Sequence, residues 1–244
     1  MQNRYAGDVG DFMKFGLLRH LAAAPEAGGA GLSVGLNWYL APDENHNGDG
    51  RHIAYLDPAN RLHASLAACD RDLIERLAAV VATRRSVAAL DACGALPPGA
   101  CAHSEMLAPR TGVGGRREWH RRGLAALMGA DVVCADPDNG IGPPGSTTKL
   151  HKYALIDELA DYSRRGQSLV VYQHADRSAD ARAQATRRQA ELAVGVEQTP
   201  VAAIIAHRGS CRFFLVTAAD GHLDRLASAV RQFAARWEPH VELV

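Results

Sequence analysis

The residues best placed to do chemistry lie in four short polar clusters. Asp136-Pro137-Asp138-Asn139-Gly140 sets two carboxylates and an amide directly after an apolar run, Ala130 to Ala135. Carboxylates at such a position can orient an amine or hydroxyl for reaction, or hold a hard cation such as magnesium or manganese. Gln173-His174-Ala175-Asp176 follows a second apolar run, Ser168 to Tyr172. Gly7-Asp8-Val9-Gly10-Asp11, with Lys14 three residues on, precedes a stretch of helical periodicity. Asp43-Glu44-Asn45-His46-Asn47-Gly48-Asp49 forms an acidic loop after the first apolar alternation. Its Asp43 to Asp49-Gly50 spacing is similar to part of a calcium loop, but no glutamate follows where an EF-hand requires one.

These clusters need elements to hold them. Apolar runs of four to eight residues bounded by turn signals are the pattern of buried strands. Pro137 ends the pairing of its strand because it has no N–H to donate, and Asn139-Gly140 suits a tight turn. Asp136 and Asp138 are thereby placed at the carboxyl edge of a sheet, where open α/β folds take their ligands. Leu32, Val34, Leu36, Trp38 and Leu40 alternate as one face of a first strand. Phe12, Phe15, Leu18 and Leu21 recur at helical spacing, with Asp11 as the expected N-cap. Helices are also expected over Asp70–Arg84, Ser86–Leu96, Arg116–Met128, Lys152–Ser163, Ser178–Leu192 and Leu223–Trp237. Ile53–Leu56 and Cys101–Leu107 suggest short extended pieces. Val201–His207 and Cys211–Thr217 read as a hairpin joined by Arg208-Gly209-Ser210. Ile141–Lys149, with Pro143-Pro144-Gly145, is long enough to act as a lid.

Alternation of strands and helices predicts an α/β fold with a mostly parallel sheet, helices on both faces and an antiparallel hairpin at the end. A chain of 244 residues with 47% hydrophobic residues supports a substantial core; Pro109 to Gly115 is a Gly-rich linker, but no low-complexity linker is long enough to split the chain, so one domain over residues 1–244 is expected. A formal net charge of +0 argues against a non-specific polyanion binder and leaves local basic patches such as Arg116, Arg117, Arg121 and Arg122. The five cysteines are widely spaced with no C-x-x-C, which predicts reduced thiols and a cytoplasmic protein. No signal peptide and no apolar run of membrane-spanning length is present.

The order of elements resembles a class I S-adenosylmethionine (SAM) methyltransferase, a Rossmann-like fold. More narrowly, it resembles the ribosomal RNA large-subunit methyltransferase J family, which methylates an adenine N6. Gly7 to Lys14 is similar to that family's Gly-Asn-x-x-Asp-x-x-Lys segment beside the cofactor. Val133 to Pro137 is similar to the strand entering its Asp-Pro-Pro-Tyr motif. Val201 to Thr217 and the helix after it are similar to its last hairpin and helix. The chain also resembles a group of bacterial proteins sharing the GD-x-GD, NGDG and DPDNG segments, which supplies no activity. Two positions depart from the methyltransferase pattern. Trp38 to Glu44 contains no glycine where a Gly-rich turn follows strand one, and Asp138 and Asn139 replace the second proline and the base-stacking aromatic.

The resemblance implies an enzyme that uses SAM on a nucleic acid or nucleotide-like substrate, with no membrane partner. Asp136, Asp138, Asn139 and His174 would be catalytic, while Gly7, Asp8, Asp11, Lys14, Tyr39 and Asp43 would hold the cofactor. The surplus of carboxylates supports an alternative: a phosphodiesterase or nuclease using Mg or Mn, with Asp43, Asp49, Asp136 and Asp138 as ligands. A non-catalytic nucleotide-binding module is the third reading.

Overall fold

The computed structural model describes residues 1–24, 30–44, 50–143, 148–176, 178–208 and 212–244. A short 3-10 turn, Asn3–Tyr5, leads to helix α1 (Val9–Ala22), whose N-cap is Asp8 and not Asp11. The Asp8 carboxylate accepts from the N–H groups of Gly10 (2.7 Å) and Asp11 (3.3 Å). Either Gly-Asp pair satisfies the local rule for a cap. The second aspartate is drawn into the first turn because its carboxylate serves two other partners, the Gly7 N–H at 2.8 Å and Lys14 Nζ at 2.8 Å.

Strand β1 (Val34–Asn37) follows. Leu32, Val34, Leu36, Trp38 and Leu40 all join one core cluster, as their alternation predicts, while Tyr39 turns into the other. Residues 54–56 form a 3-10 turn where an extended piece was expected. Helices α2 (His63–Cys69), α3 (Arg71–Thr83) and α4 (Val87–Ala92) lead to the short edge strand β2 (Cys101–His103). Helix α5 (Val113–Ala126) precedes β3 (Val132–Ala135). Two residues past the Asp-Pro-Asp-Asn turn, β4 (Gly140–Ile141), pair in parallel with β5 (Tyr153–Ala154). That bridge and the 3-10 turn Leu150–Lys152 before it take the residues expected to open a helix at Lys152, so α6 spans only Ile156–Ser163. Residues 144–147 of the expected lid lie outside the described residues. The chain ends with β6 (Ser168–His174), α7 (Ala181–Val196), β7 (Thr199–Ala206), β8 (Arg212–Ala218), α8 (Leu223–Trp237) and β9 (Val241–Leu243).

The main sheet has the order β2-β1-β3-β6-β8-β7-β9. The first four strands are parallel; β8 runs antiparallel to both β6 and β7, and β9 antiparallel to β7. The expected hairpin is therefore present, but its second strand is inserted between β6 and β7. Strand β9 was not expected; three residues carry too little alternation to be read.

Strand residues alternate between two apolar layers. Val132, Cys134 and Val170 face a core built with Phe12 of α1, Leu66 of α2, Leu73 of α3, Leu90 of α4 and Phe233 of α8. Val133, Ala135 and Val171 face Trp119 of α5, Leu159 of α6 and Leu192 of α7. This is the mostly parallel α/β arrangement with helices on both faces that alternation predicts. Helix α1 lies against α8 so closely that a Cβ on Gly16 would stand 2.1 Å from the Trp237 ring, which fixes the position of α1 over the sheet. Among the described residues, no helix is long and apolar enough to cross a membrane.

Candidate functional site

The carboxyl ends of β1 and β3 are where the strand order reverses, the place at which open α/β sheets form a ligand crevice. Beside it lies a cavity of about 300 Å³. Its walls are the N-terminal segment, the first turn of α1, residues 136–139 after β3, Lys149 and Lys152 before β5, the end of β6, and Arg212 at the start of β8. The volume stands at the lower end of the range for small-molecule sites, about 300–1,000 Å³.

Lys14 is the centre of the ionic arrangement. Its Nζ donates to Asp11 Oδ1 at 2.8 Å and to Asp136 Oδ2 at 2.9 Å, joining residues 122 positions apart. It also lies 4.3 Å from the Trp38 ring centroid. All three charged side chains are buried. Burial works against the Lys14 charge, but the two carboxylates outweigh it and hold the ammonium above its ordinary value. Burial pushes Asp11 the other way, up to about 6; the Asp8 and Asp136 carboxylates add to this, and Lys14 opposes it.

The linkage sign for Asp11 follows. A carboxyl with a folded value near 6 and an ordinary value of 3.8 binds more proton folded than unfolded between those limits. Its contribution to stability is complete below 3.8 and is lost as pH rises through about 6. Urea titrations at pH 4 to 7 are expected to show this loss in the wild type, and Asp11→Asn is expected to remove it from the profile. An unchanged profile in the variant would show that Asp11 is not the titrating group.

Asp138 is held by other groups. Its Oδ2 accepts from Gln2 Nε2 at 2.8 Å and lies 3.3 Å from Lys152 Nζ, and its Oδ1 lies 3.7 Å from the Met1 ammonium. Burial raises the carboxyl, yet these cations and the Gln2 amide bring it below its ordinary value. Lys152 Nζ also meets Glu44 at 2.5 Å. The Met1 ammonium donates to the carbonyls of Tyr39 (3.1 Å) and Asp136 (3.2 Å), the residues just beyond β1 and β3, and burial lowers its proton affinity. At the opposite wall, Arg212 lies 3.4 Å from Asp8 and passes over Gly10, where a Cβ would come 1.7 Å from its guanidinium. Only glycine leaves room for that crossing.

Of the residues singled out in the sequence, Asp8, Asp11, Lys14, Asp136, Asp138, Asn139 and His174 come together on this cavity. His174 sits at its rim, where its Nδ1 is 3.2 Å from the Tyr172 hydroxyl. Gly7 supports the cavity from behind through Asp11, and its carbonyl accepts from the Tyr55 hydroxyl at 3.2 Å. Tyr39 turns its side chain away: it is fully buried against Trp119, and its hydroxyl donates to Glu158 at 3.2 Å. Asp43 is exposed and accepts from the Arg4 N–H, while its neighbour Glu44 reaches the cavity. Asp49 and His46 lie outside the described residues. Among the described residues, no group of three His, Cys, Asp or Glu side chains is arranged to hold a metal ion.

Sequence reasoning missed Gln2, Lys152 and Arg212. Each enters through a long-range contact, and no local window marks it. Arg116, grouped in the sequence with a local basic patch, is not part of a surface patch. Arg116 is buried and pairs with Glu158 through two contacts, 2.5 and 2.8 Å, and donates to the carbonyls of Leu150 and Tyr153 at 2.7 Å. It thereby anchors the segment that presents Lys152 to Asp138.

No protein-family model matches the chain, and no curated protein matches it.

Proposed function

We propose that this protein is a SAM-dependent methyltransferase acting on a nucleic acid or nucleotide-like substrate. The observation that carries the reading is the meeting of the Gly7–Lys14 segment with the Asp136 turn. Lys14 bridges Asp11 and Asp136 beside a cavity at the strand-order reversal. The antiparallel β8 between β6 and β7 also agrees with the terminal hairpin expected of this class.

The side chains suit the amino-acid end of SAM, which carries one ammonium and one carboxylate. Asp8 and Asp11 lie near Lys14 and Arg212, so both signs of charge border one cavity. The turn after β1 is different. Trp38, Tyr39 and Ala41 are fully buried there, and the Ala41 N–H donates to the Met1 carbonyl at 2.7 Å. The fit therefore rests on Asp8, Asp11, Lys14, Arg212 and Glu44, with no Gly-rich approach of backbone. When bound, SAM supplies an electrophilic methyl group. The protein's part is alignment, which lowers a barrier without many titrating groups. Asp136, fixed by Lys14, faces the substrate's reacting edge, and Asn139 offers an amide to it.

Two features weigh against the phosphodiesterase alternative. The N–H groups opening α1 are engaged by His52 O, Asp8 Oδ1 and Asp8 O, so they offer nothing to a phosphate. Asp136 and Asp138 each face a lysine of the chain itself, which competes with any divalent cation.

Isothermal calorimetry with SAM, its demethylated product and magnesium separates the readings. SAM and the product are expected to bind, and magnesium to give no heat. Absence of SAM binding at high micromolar concentrations, with magnesium binding in its place, would overturn the proposal.

A further inference from the structure

The charges of the cavity are layered. Its carboxylates, Asp8, Asp11, Glu44, Asp136 and Asp138, are all buried or half-buried. Among the described residues, three that line it are exposed, and each carries a basic side chain: His52, Lys149 and His174. They come from three separate segments, ahead of the Ala54–Leu56 turn, ahead of β5 and at the end of β6. An acidic floor thus opens through a basic mouth.

Lys149 differs from the cations below it. Lys14, Lys152, Arg212 and the Met1 ammonium each lie 3.7 Å or less from a carboxylate of the wall. Lys149 has no ion pair and no side-chain hydrogen bond among the described residues. Its backbone is left-handed, with φ 52° and ψ 31°, a conformation strained for any residue but glycine and concentrated at ligand sites. The strained residue is held in place. Its carbonyl accepts from the Lys152 N–H at 2.9 Å, and Arg116 donates to the next carbonyl, that of Leu150, at 2.7 Å. A lysine that merely meets solvent needs neither the strain nor the mount.

One unopposed ammonium, with two imidazoles at the same mouth, suits one compact anion such as a phosphate monoester. A polynucleotide instead calls for many cations along its backbone. The basic run of α5 is spent within the protein: Arg116 pairs inward with Glu158, Arg121 with Glu118 at 2.6 Å and Arg122 with Glu105 at 2.7 Å. The N–H groups opening α1 are engaged as well, so an anion finds its donors at the mouth.

We propose that this mouth is a phosphate site, where Lys149, with His52 and His174, binds the monoester phosphate of a free mononucleotide. This rests on the methyltransferase reading for the nucleoside portion, and it narrows the substrate from a nucleic acid to a single nucleotide. The buried carboxylates repel the phosphate from the floor, so the ligand enters base first. Lys149 then determines specificity for a phosphorylated ligand.

The test uses the full chain. Each common ribonucleoside 5′-monophosphate is titrated by calorimetry beside its own nucleoside, and a short single-stranded RNA beside both. The same titrations are made on Lys149→Gly and Lys149→Gln, with SAM affinity and urea stability measured for each. At least one monophosphate is expected to bind the wild type about tenfold more tightly than its nucleoside, the scale of one hydrogen bond to a charged group. Both variants are expected to lose that margin and to keep their affinity for SAM. Lys149→Gly is also expected to be no less stable than the wild type, because glycine adopts a positive φ freely. Several results overturn the proposal and leave the methyltransferase reading standing: a wild type that binds SAM but shows no phosphate preference, variants that keep the preference or lose it only together with stability, or RNA bound more tightly than every monophosphate. A phosphate preference without SAM binding upholds the phosphate site and removes the methyltransferase reading. A wild type that binds none of these ligands overturns both.

Discussion

Lys14→Met is expected to cost about 3–5 kcal/mol of folding stability, because removing one partner of a buried ionic group leaves the others uncompensated. Methionine keeps most of the apolar stem and removes the ammonium, which lies 4.3 Å from the Trp38 ring centroid, so the loss reports on charge more than on packing. Asp11 and Asp136 would then face one another with no cation between them. Chemical denaturation measures the cost directly. The double variant Lys14→Met/Asp136→Asn should recover part of it, since the two residues are in contact and their effects are not additive. A single-variant cost below about 1 kcal/mol, the value for an exposed pair, would show that the three groups are not buried together.

Arg116→Met is expected to cost a similar amount, about 3–5 kcal/mol, by leaving Glu158 buried and unpaired. It has a second effect that an ordinary core lesion lacks. Arg116 also holds the carbonyls of Leu150 and Tyr153, on either side of Lys152, so ligand affinity should fall with stability. Arg122, on the same helix, supplies the control. It is paired with Glu105 and Glu118 at the surface, and Arg122→Ala should cost less than about 1 kcal/mol and leave binding unchanged. Equal effects of the two substitutions would remove Arg116 from any positioning role.

These two arginines show what the sequence could and could not disclose. Both stand in a helix with strong basic character, and nothing local separates them. Arg116 is drawn inward because Glu158, 42 residues away, offers both carboxylate oxygens from α6. The strands were more legible. Five alternating residues from Leu32 to Leu40 mark one buried face, and the run before Pro137 marks a central strand, because burial on both sides leaves a local apolar signal. Helix α8 was read to the residue, owing to its sharply divided faces. The cap of α1 was misplaced by three residues, since two Gly-Asp pairs carry the same local preference and tertiary contacts choose between them. Strand-end placement put Asp136 and Asp138 at the sheet edge, and the family resemblance, not any local pattern, put Asp8, Asp11 and Lys14 beside them. Neither marked Gln2, Lys152 or Arg212, because their roles are set by what they meet and not by their neighbours in the chain.

The contact between Arg212 and Asp8 spans 204 residues, and its guanidinium lies across the opening turn of the first helix. A growing polypeptide can form α1 early, with Lys14 beside Asp11 on adjacent turns. It cannot neutralise Asp8 in this way, or enclose the cavity, until β8 has been synthesised and slotted between its neighbours. Recognition of a small molecule would thus be among the last properties acquired during synthesis. A ligand that binds here should report completed folding, and partly made chains should be blind to it.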